Sequence, residues 1–224
     1  MILLVALSWL VAGQASAEAT PDVAATRCIA CGAEMPNPRV LYTAGEWEAL
    51  EGGAILLVKE AAFQTRSPGS NGHESAASGL IRHSPDRVWT VLTDFETWPK
   101  FMPHITRTRI TRREGSKMWV RQNYRVVFVG MEHTTIYDLD PRFGQLSWAL
   151  DPTQKHDIKF SEGRWELLPT AGGDRTVIRY AAAMDAGRHV PDFLETTLKR
   201  RSLKNLIVNL RREVDRRYGN GSAD

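Results

Sequence analysis

The chain has 224 residues, 42% of them hydrophobic and 25% charged, with a formal net charge of +3 and a pI of about 9.0. These values suit one globular domain with a real core and room for an N-terminal extension, and the positive excess is too mild to argue for nucleic acid as a partner. With two cysteines in all, a four-ligand zinc centre built on paired C-x-x-C motifs is excluded.

The opening segment, MILLVALSWLVAGQASAEAT, holds an apolar run from Ile2 to Ala12 that is too short to span a bilayer. Ala15-Ser16-Ala17 follows as a small-x-small site, so residues 1–17 read as a secretory signal peptide, although no Lys or Arg precedes the run. A buried N-terminal helix is the alternative. The signal reading predicts a secreted or periplasmic protein after cleavage, and no later segment is apolar enough to cross a membrane.

Residues 18–49 form a leader rich in Ala and Pro that carries Cys28 and Cys31 as a lone C-x-x-C. A c-type haem needs His where Gly32 stands, and a thioredoxin-like site needs a strand before the pair and a helix after it. A local disulfide between Cys28 and Cys31 is the expectation in an oxidising compartment, with a redox or metal role as the alternative.

A single folded domain is expected over residues 50–218, with residues 219–224 as a flexible tail. EWEALEGG reads as a short helical turn stopped by Gly52 and Gly53, AILLVKEAAF as a strand, RSPGSNG as a turn, and HESAASGLIRH as a second strand. HSPDRVW starts a helix, with Ser84 at the cap, Pro85 in the first position and Asp86 against the dipole. Thr93 with Glu96 predicts a capping box for a second short helix, and Pro99 and Pro103 predict its interruption.

The period then changes to two. KMWVRQNYRVVFV puts Met118, Val120, Tyr124, Val126 and Phe128 on one face, and Trp119, Arg121, Asn123 and Arg125 on the other. Met131, His133, Thr135, Tyr137 and Leu139 share a face, as do Leu146, Trp148 and Leu150. Ile158 and Phe160 follow, then Trp165 and Leu167, then Thr176, Ile178, Tyr180, Ala182 and Met184. This pattern is an antiparallel meander of about six strands with one apolar face. From Pro191 to Tyr218 the chain has no internal Pro or Gly, and Leu194, Leu198, Leu206, Leu210 and Val214 form an apolar stripe. A sheet with one apolar face needs a cover, and this helix is the element long enough to supply it. A gap between the two is the natural place for a ligand.

GLIRHSPDRVWTVLTDFETWPKFMPHI, with EGRWELLP, GDRTVIRYAAAMDAG and a closing basic helix, resembles the START/Bet v 1-like (SRPBCC, polyketide cyclase / coenzyme Q-binding) superfamily, in its secreted bacterial form, over about residues 50–217. The resemblance implies an α+β helix-grip fold: a curved antiparallel sheet with two short helices and a long C-terminal helix over an apolar cavity. It also implies non-enzymatic binding or transfer of a hydrophobic small molecule such as a lipid, an isoprenoid or quinone, or a polycyclic compound. A cyclase or aromatase acting on a polyketide-like substrate, and an interaction module with a filled cavity, are the alternatives.

The lining expected on this reading is Phe101, Met102, Tyr124, Val126, Phe128, His133, Tyr137, Trp148, Phe160, Trp165, Tyr180, Met184, Leu194 and Leu198. The polar groups on the apolar faces are few: Gln122, Tyr124, His133, Tyr137 and Tyr180. His133 and Tyr124 have the chemistry of an acid–base pair, and equally that of groups orienting a ligand head; no catalytic residue is assigned. No phosphate loop, dinucleotide fingerprint, serine-hydrolase elbow or H-E-x-x-H occurs, so neither a cofactor nor a metal is expected. Lys199, Arg200, Arg201, Lys204, Arg211, Arg212, Arg216 and Arg217 make the last helix basic. That pattern reads as a solvated face, or as a transient tether to an anionic membrane surface, with no nucleic-acid partner.

Overall fold

The protein is described here by a computed structural model covering residues 26–27, 34–35, 37–58, 73–126, 128–185 and 192–220. Residues 1–17, Cys28, Cys31 and residues 221–224 lie outside the described residues, as do the side chains of Leu194 and Leu198. Ahead of the main sheet, β1 (Thr26–Arg27) pairs antiparallel with β2 (Glu34–Met35). A 3-10 turn over Pro38–Leu41 leads into α1 (Ala44–Glu51). Thr43 and Glu46 close a reciprocal capping box there, in which the Glu46 carboxylate accepts from the Thr43 amide at 2.8 Å.

The main sheet is built from β3 (Leu56–Val58), β4 (His73–Ile81), β5 (Ile105–Glu114), β6 (Lys117–Val126), β7 (Val129–Asp140), β8 (Gln145–Leu150), β9 (Phe160–Pro169) and β10 (Thr176–Asp185). Its eight strands run in the order β3-β4-β10-β9-β8-β7-β6-β5, every neighbour antiparallel. α2 (Pro85–Leu92) and a 3-10 helix over Phe95–Lys100 cross between β4 and β5, and α3 (Asp192–Tyr218) closes the chain. This is the α+β helix-grip arrangement. Among the described residues no helix is long and apolar enough to cross a membrane.

The pleat divides the side chains. Ala77, Tyr180, Trp165 and Leu146 stand opposite one another across four strands on the inner face. Leu80, Val177 and Leu168 share the outer face, where α1 covers them with Leu50. Burial of Ile207, Leu210 and Val214 holds α3 against the inner face, α2 and the Phe95–Lys100 turn. The close approach depends on Gly79, where a Cβ would come within 2.6 Å of Ile207 Cγ2.

Two local expectations are corrected. The Thr93–Glu96 capping box does not form: the Thr93 hydroxyl donates to the Trp89 carbonyl at 2.9 Å, and the following 3-10 helix has no side-chain cap. Pro99 does not end that helix, which runs through it to Lys100.

Candidate ligand-binding site

The inner faces of β6–β10 form an aromatic floor. Trp148 stacks on Tyr180 at 5.6 Å, and Tyr180 meets Trp165 at 4.5 Å. Tyr137 lies 6.1 Å from Trp148 and 4.5 Å from Phe95, which brings the floor to the Phe95–Lys100 turn. Trp148 spreads across β9 because residue 163 is glycine. A Cβ there would stand 2.2 Å from the indole Cζ2, so every other residue would lift the ring.

Set into this floor is one polar hub. Gln122 is fully buried on β6; its Nε2 donates to the Tyr137 hydroxyl at 3.1 Å. Its Oε1 stands 3.0 Å from the Thr135 hydroxyl, 3.3 Å from that of Tyr137 and 3.4 Å from that of Tyr124. A carbonyl oxygen has two lone pairs, so three hydroxyls over-subscribe it and one proton is left to point elsewhere. Tyr124, at the longest distance, is the candidate.

Beside it His133, opposite Gln122 in the β6–β7 register, stacks on the Tyr124 ring at 5.0 Å with 11° between planes. His133 is 2% exposed and its buried Nδ1 has no hydrogen-bond partner. Burial pushes the imidazole down to about 4, with His156 adding to the effect and Asp157 opposing it, so the ring is neutral at pH 7. Burial likewise raises the phenols of Tyr124, Tyr137 and Tyr180, keeping them protonated donors. No carboxylate enters the hub, and among the described residues no three His, Cys, Asp or Glu side chains are placed to hold a metal ion. The arrangement can hydrogen-bond a ligand head inside an apolar wall.

The structure brings Tyr124, His133, Tyr137, Trp148, Trp165 and Tyr180 together on the inner face. Val126 and Met184 are half-buried at strand ends on the same side. Phe101 and Met102 are buried in the main core cluster with Trp98, and the Phe101 carbonyl accepts from Asn209 of α3 at 2.9 Å. Next to them His104 adopts a left-handed φ of 65°, its ring 2.8 Å from the Ser202 hydroxyl of α3 and its carbonyl accepting from the Arg125 amide at 2.8 Å. That lip ties the first turns of β5, the end of β6 and α3 together.

Two expected lining residues are elsewhere. Phe128 lies in the β6–β7 turn and is 96% exposed, because the alternation of β6 ends at Val126. Phe160 pairs with Asp185 on the outer face; β9 alternates without interruption from Phe160 to Trp165, so the two rings point to opposite sides. Leu194 and Leu198 lie on α3, with side chains outside the described residues. Gln122 and Thr135 belong to the site but are absent from the lining drawn from the sequence. Their place in the alternation puts them on the inner face, while their convergence on one carbonyl needs the strand register.

Residues 73–215 match the family described as polyketide cyclase / dehydrase and lipid transport. No curated protein matches the chain. Among solved structures, the fold is similar to a STAR-related lipid transfer protein from Xanthomonas axonopodis, with 16% identity, a TM-score of 0.57 and coverage of 71% of this chain and 98% of that one. It is also similar to the Zhui aromatase/cyclase from Streptomyces sp. R1128 (20% identity, TM-score 0.56, 66% and 96% covered). A START superfamily protein from Mycobacterium smegmatis matches at 21% identity and a TM-score of 0.55, over 65% of this chain and 99% of that one. At these identities the likeness is one of fold.

Proposed function

Because the chain belongs to the polyketide cyclase / dehydrase and lipid transport family, within the START/Bet v 1-like superfamily, we propose that it binds and carries a hydrophobic small molecule bearing one polar head. The observation behind this reading is a pair of under-used polar groups in the aromatic floor: the Tyr124 hydroxyl, the most distant of the three that share the Gln122 carbonyl, and the unpartnered Nδ1 of His133. A buried polar atom without a partner costs roughly 1–3 kcal/mol, and a ligand hydroxyl can answer both groups at once, accepting from one and donating to the other. The apolar remainder of such a ligand gains about 25 cal/mol for each Å² removed from water. A lipid, isoprenoid alcohol or polycyclic phenol fits this description. The signal-like pattern of residues 1–17 supports an extracytoplasmic setting for this work, secreted or periplasmic.

The test is native mass spectrometry of protein purified from its own host, followed by solvent extraction. A stoichiometric apolar compound released unchanged supports carriage. Tyr124→Phe and His133→Leu are expected to weaken its retention by about tenfold each, the loss of one hydrogen bond of about 1.4 kcal/mol. If the extracted compound is instead converted on incubation, and both variants abolish conversion, the stacked Tyr124–His133 pair acts as an acid–base couple and the protein is an enzyme of cyclase type.

A further inference from the structure

Between Ile105 and Val126 the chain carries seven basic side chains and one carboxylate, while the whole chain is only +3, so the rest of the molecule is net acidic. Register fixes where this charge goes. Arg107 stands opposite Asn123, Arg109 opposite Arg121 and Arg112 opposite Trp119. These residues and Arg125 occupy the outer face, away from Val120, Gln122 and Tyr124, and all five arginines are exposed. Arg112 is accounted for by an ion pair with Glu114 and by the Trp119 ring 4.5 Å below its guanidinium. Arg107, Arg109, Arg121 and Arg125 have no side-chain partner among the described residues.

Two outward carboxylates on β7 flank this face without an ion pair to these arginines among the described residues: Glu132 accepts from Asn123, and Asp138 from the Ser116 hydroxyl. Like charges directly opposite in a sheet are destabilising, and Arg109 and Arg121 are such a pair. Charges on β5 protect an exposed sheet edge, but β6 is an interior strand and needs no such protection. The same hairpin that carries Arg125 ends in Phe128, 96% exposed, three residues along. The Arg125 amide donates to the His104 carbonyl, and the His104 ring meets Ser202 of α3, so this end of the hairpin lies beside α3.

We propose that the outer β5–β6 face and the Phe128 tip dock on an anionic phospholipid surface, with Phe128 entering the interface and Arg107, Arg109, Arg121 and Arg125 taking lipid phosphates. Guanidinium forks suit phosphate oxygens, and a lone exposed aromatic ring beside cations is the pattern of interfacial anchoring. The purpose assigned to the contact, loading and unloading of an apolar ligand at the lip, rests on the carrier reading above. The basic residues at the end of α3 suit this task less well. Arg216 and Arg217 are ion-paired with Glu213, and Arg217 also with Asp94.

The test is co-sedimentation of the full chain with phosphatidylcholine vesicles, with and without phosphatidylglycerol. Binding is expected only with the anionic lipid and is expected to fall with salt. The Arg107→Gln/Arg125→Gln double variant is expected to lower the partition coefficient by about 25-fold, each arginine being worth about fivefold. Phe128→Ser is expected to lower it several-fold with unchanged circular dichroism and thermal unfolding. Equal binding to neutral vesicles, wild-type binding by both variants, or tighter binding to duplex nucleic acid or to an acidic protein overturns the proposal. Protein that holds its apolar compound but ignores anionic vesicles overturns it and leaves the carrier reading standing. Vesicle binding through these residues by protein holding no such compound supports the surface and removes the carrier.

Discussion

His133 is a neutral imidazole buried against the Tyr124 ring, and that burial has a signature in pH. Its folded pKa, about 4, lies below the ordinary value of 6.5, so the unfolded chain takes up a proton first as pH falls. The stability this group supports is complete above about pH 6.5 and is lost as pH falls through about 4. Urea denaturation at pH 7 and pH 4.5 is expected to differ by on the order of 2 kcal/mol from this group, and His133→Leu is expected to remove that share of the slope. Gly163 gives a second expectation. Gly163→Ala forces Trp148 or the Ala181 carbonyl to move and is expected to cost about 1–3 kcal/mol, measured by denaturation, with altered indole fluorescence. Alternation in the sequence reveals which way Tyr124, His133 and Tyr137 point. It fails at Phe128 and Phe160 for one reason: a period of two reports relative facing within a strand, and neither the strand's end nor its phase after a loop is written in that period.

At the scale of elements, the ends of helices explain most differences. T-x-x-E occurs at Thr43 and again at Thr93, but only the first forms the box. Thr93 still belongs to the turn ending α2, where its hydroxyl is taken by Trp89. Thr43→Ala is therefore expected to destabilise α1 and its contact with Leu80 by about 1 kcal/mol, read from the urea midpoint. On α3, hydrogen bonds from Arg216 and, after it, Arg217 hold the Glu213 carboxyl down at about 2 against the opposing effect of burial. Its contribution is present above about pH 4.5 and disappears as pH falls through about 2. Glu213→Gln is expected to flatten acid unfolding across that window, followed by circular dichroism. β5 is the strand least legible in advance. Its sequence ITRTRITRRE alternates imperfectly because register shifts between Ile105 and Arg107 and between Ile110 and Arg112 change its phase twice.

For the whole molecule, the order of elements foretells the fold: two short helices, a polar–apolar meander and a terminal amphipathic helix admit few arrangements other than a sheet closed by that helix. What the sequence leaves hidden is the distribution of charge over the closed sheet. Arg121 and Arg125 read as one polar face of β6, and only the pairing with β5 turns two rows of arginines into a single surface. A bound apolar ligand also links to stability by mass action. Extraction of the compound is expected to lower Tm, and re-addition at a hundred times its Kd is expected to restore about 2.7 kcal/mol, measured by calorimetry.

The neighbour of β4 in the sheet is β10, so Ile81 waits for Thr176 before its strand is fully paired. During synthesis the early strand therefore emerges with one open side and keeps it until almost all of the chain has left the ribosome. Such high contact order makes late zippering the slow step, and the interval before it is when a crowded cell can trap the nascent protein in an aggregate.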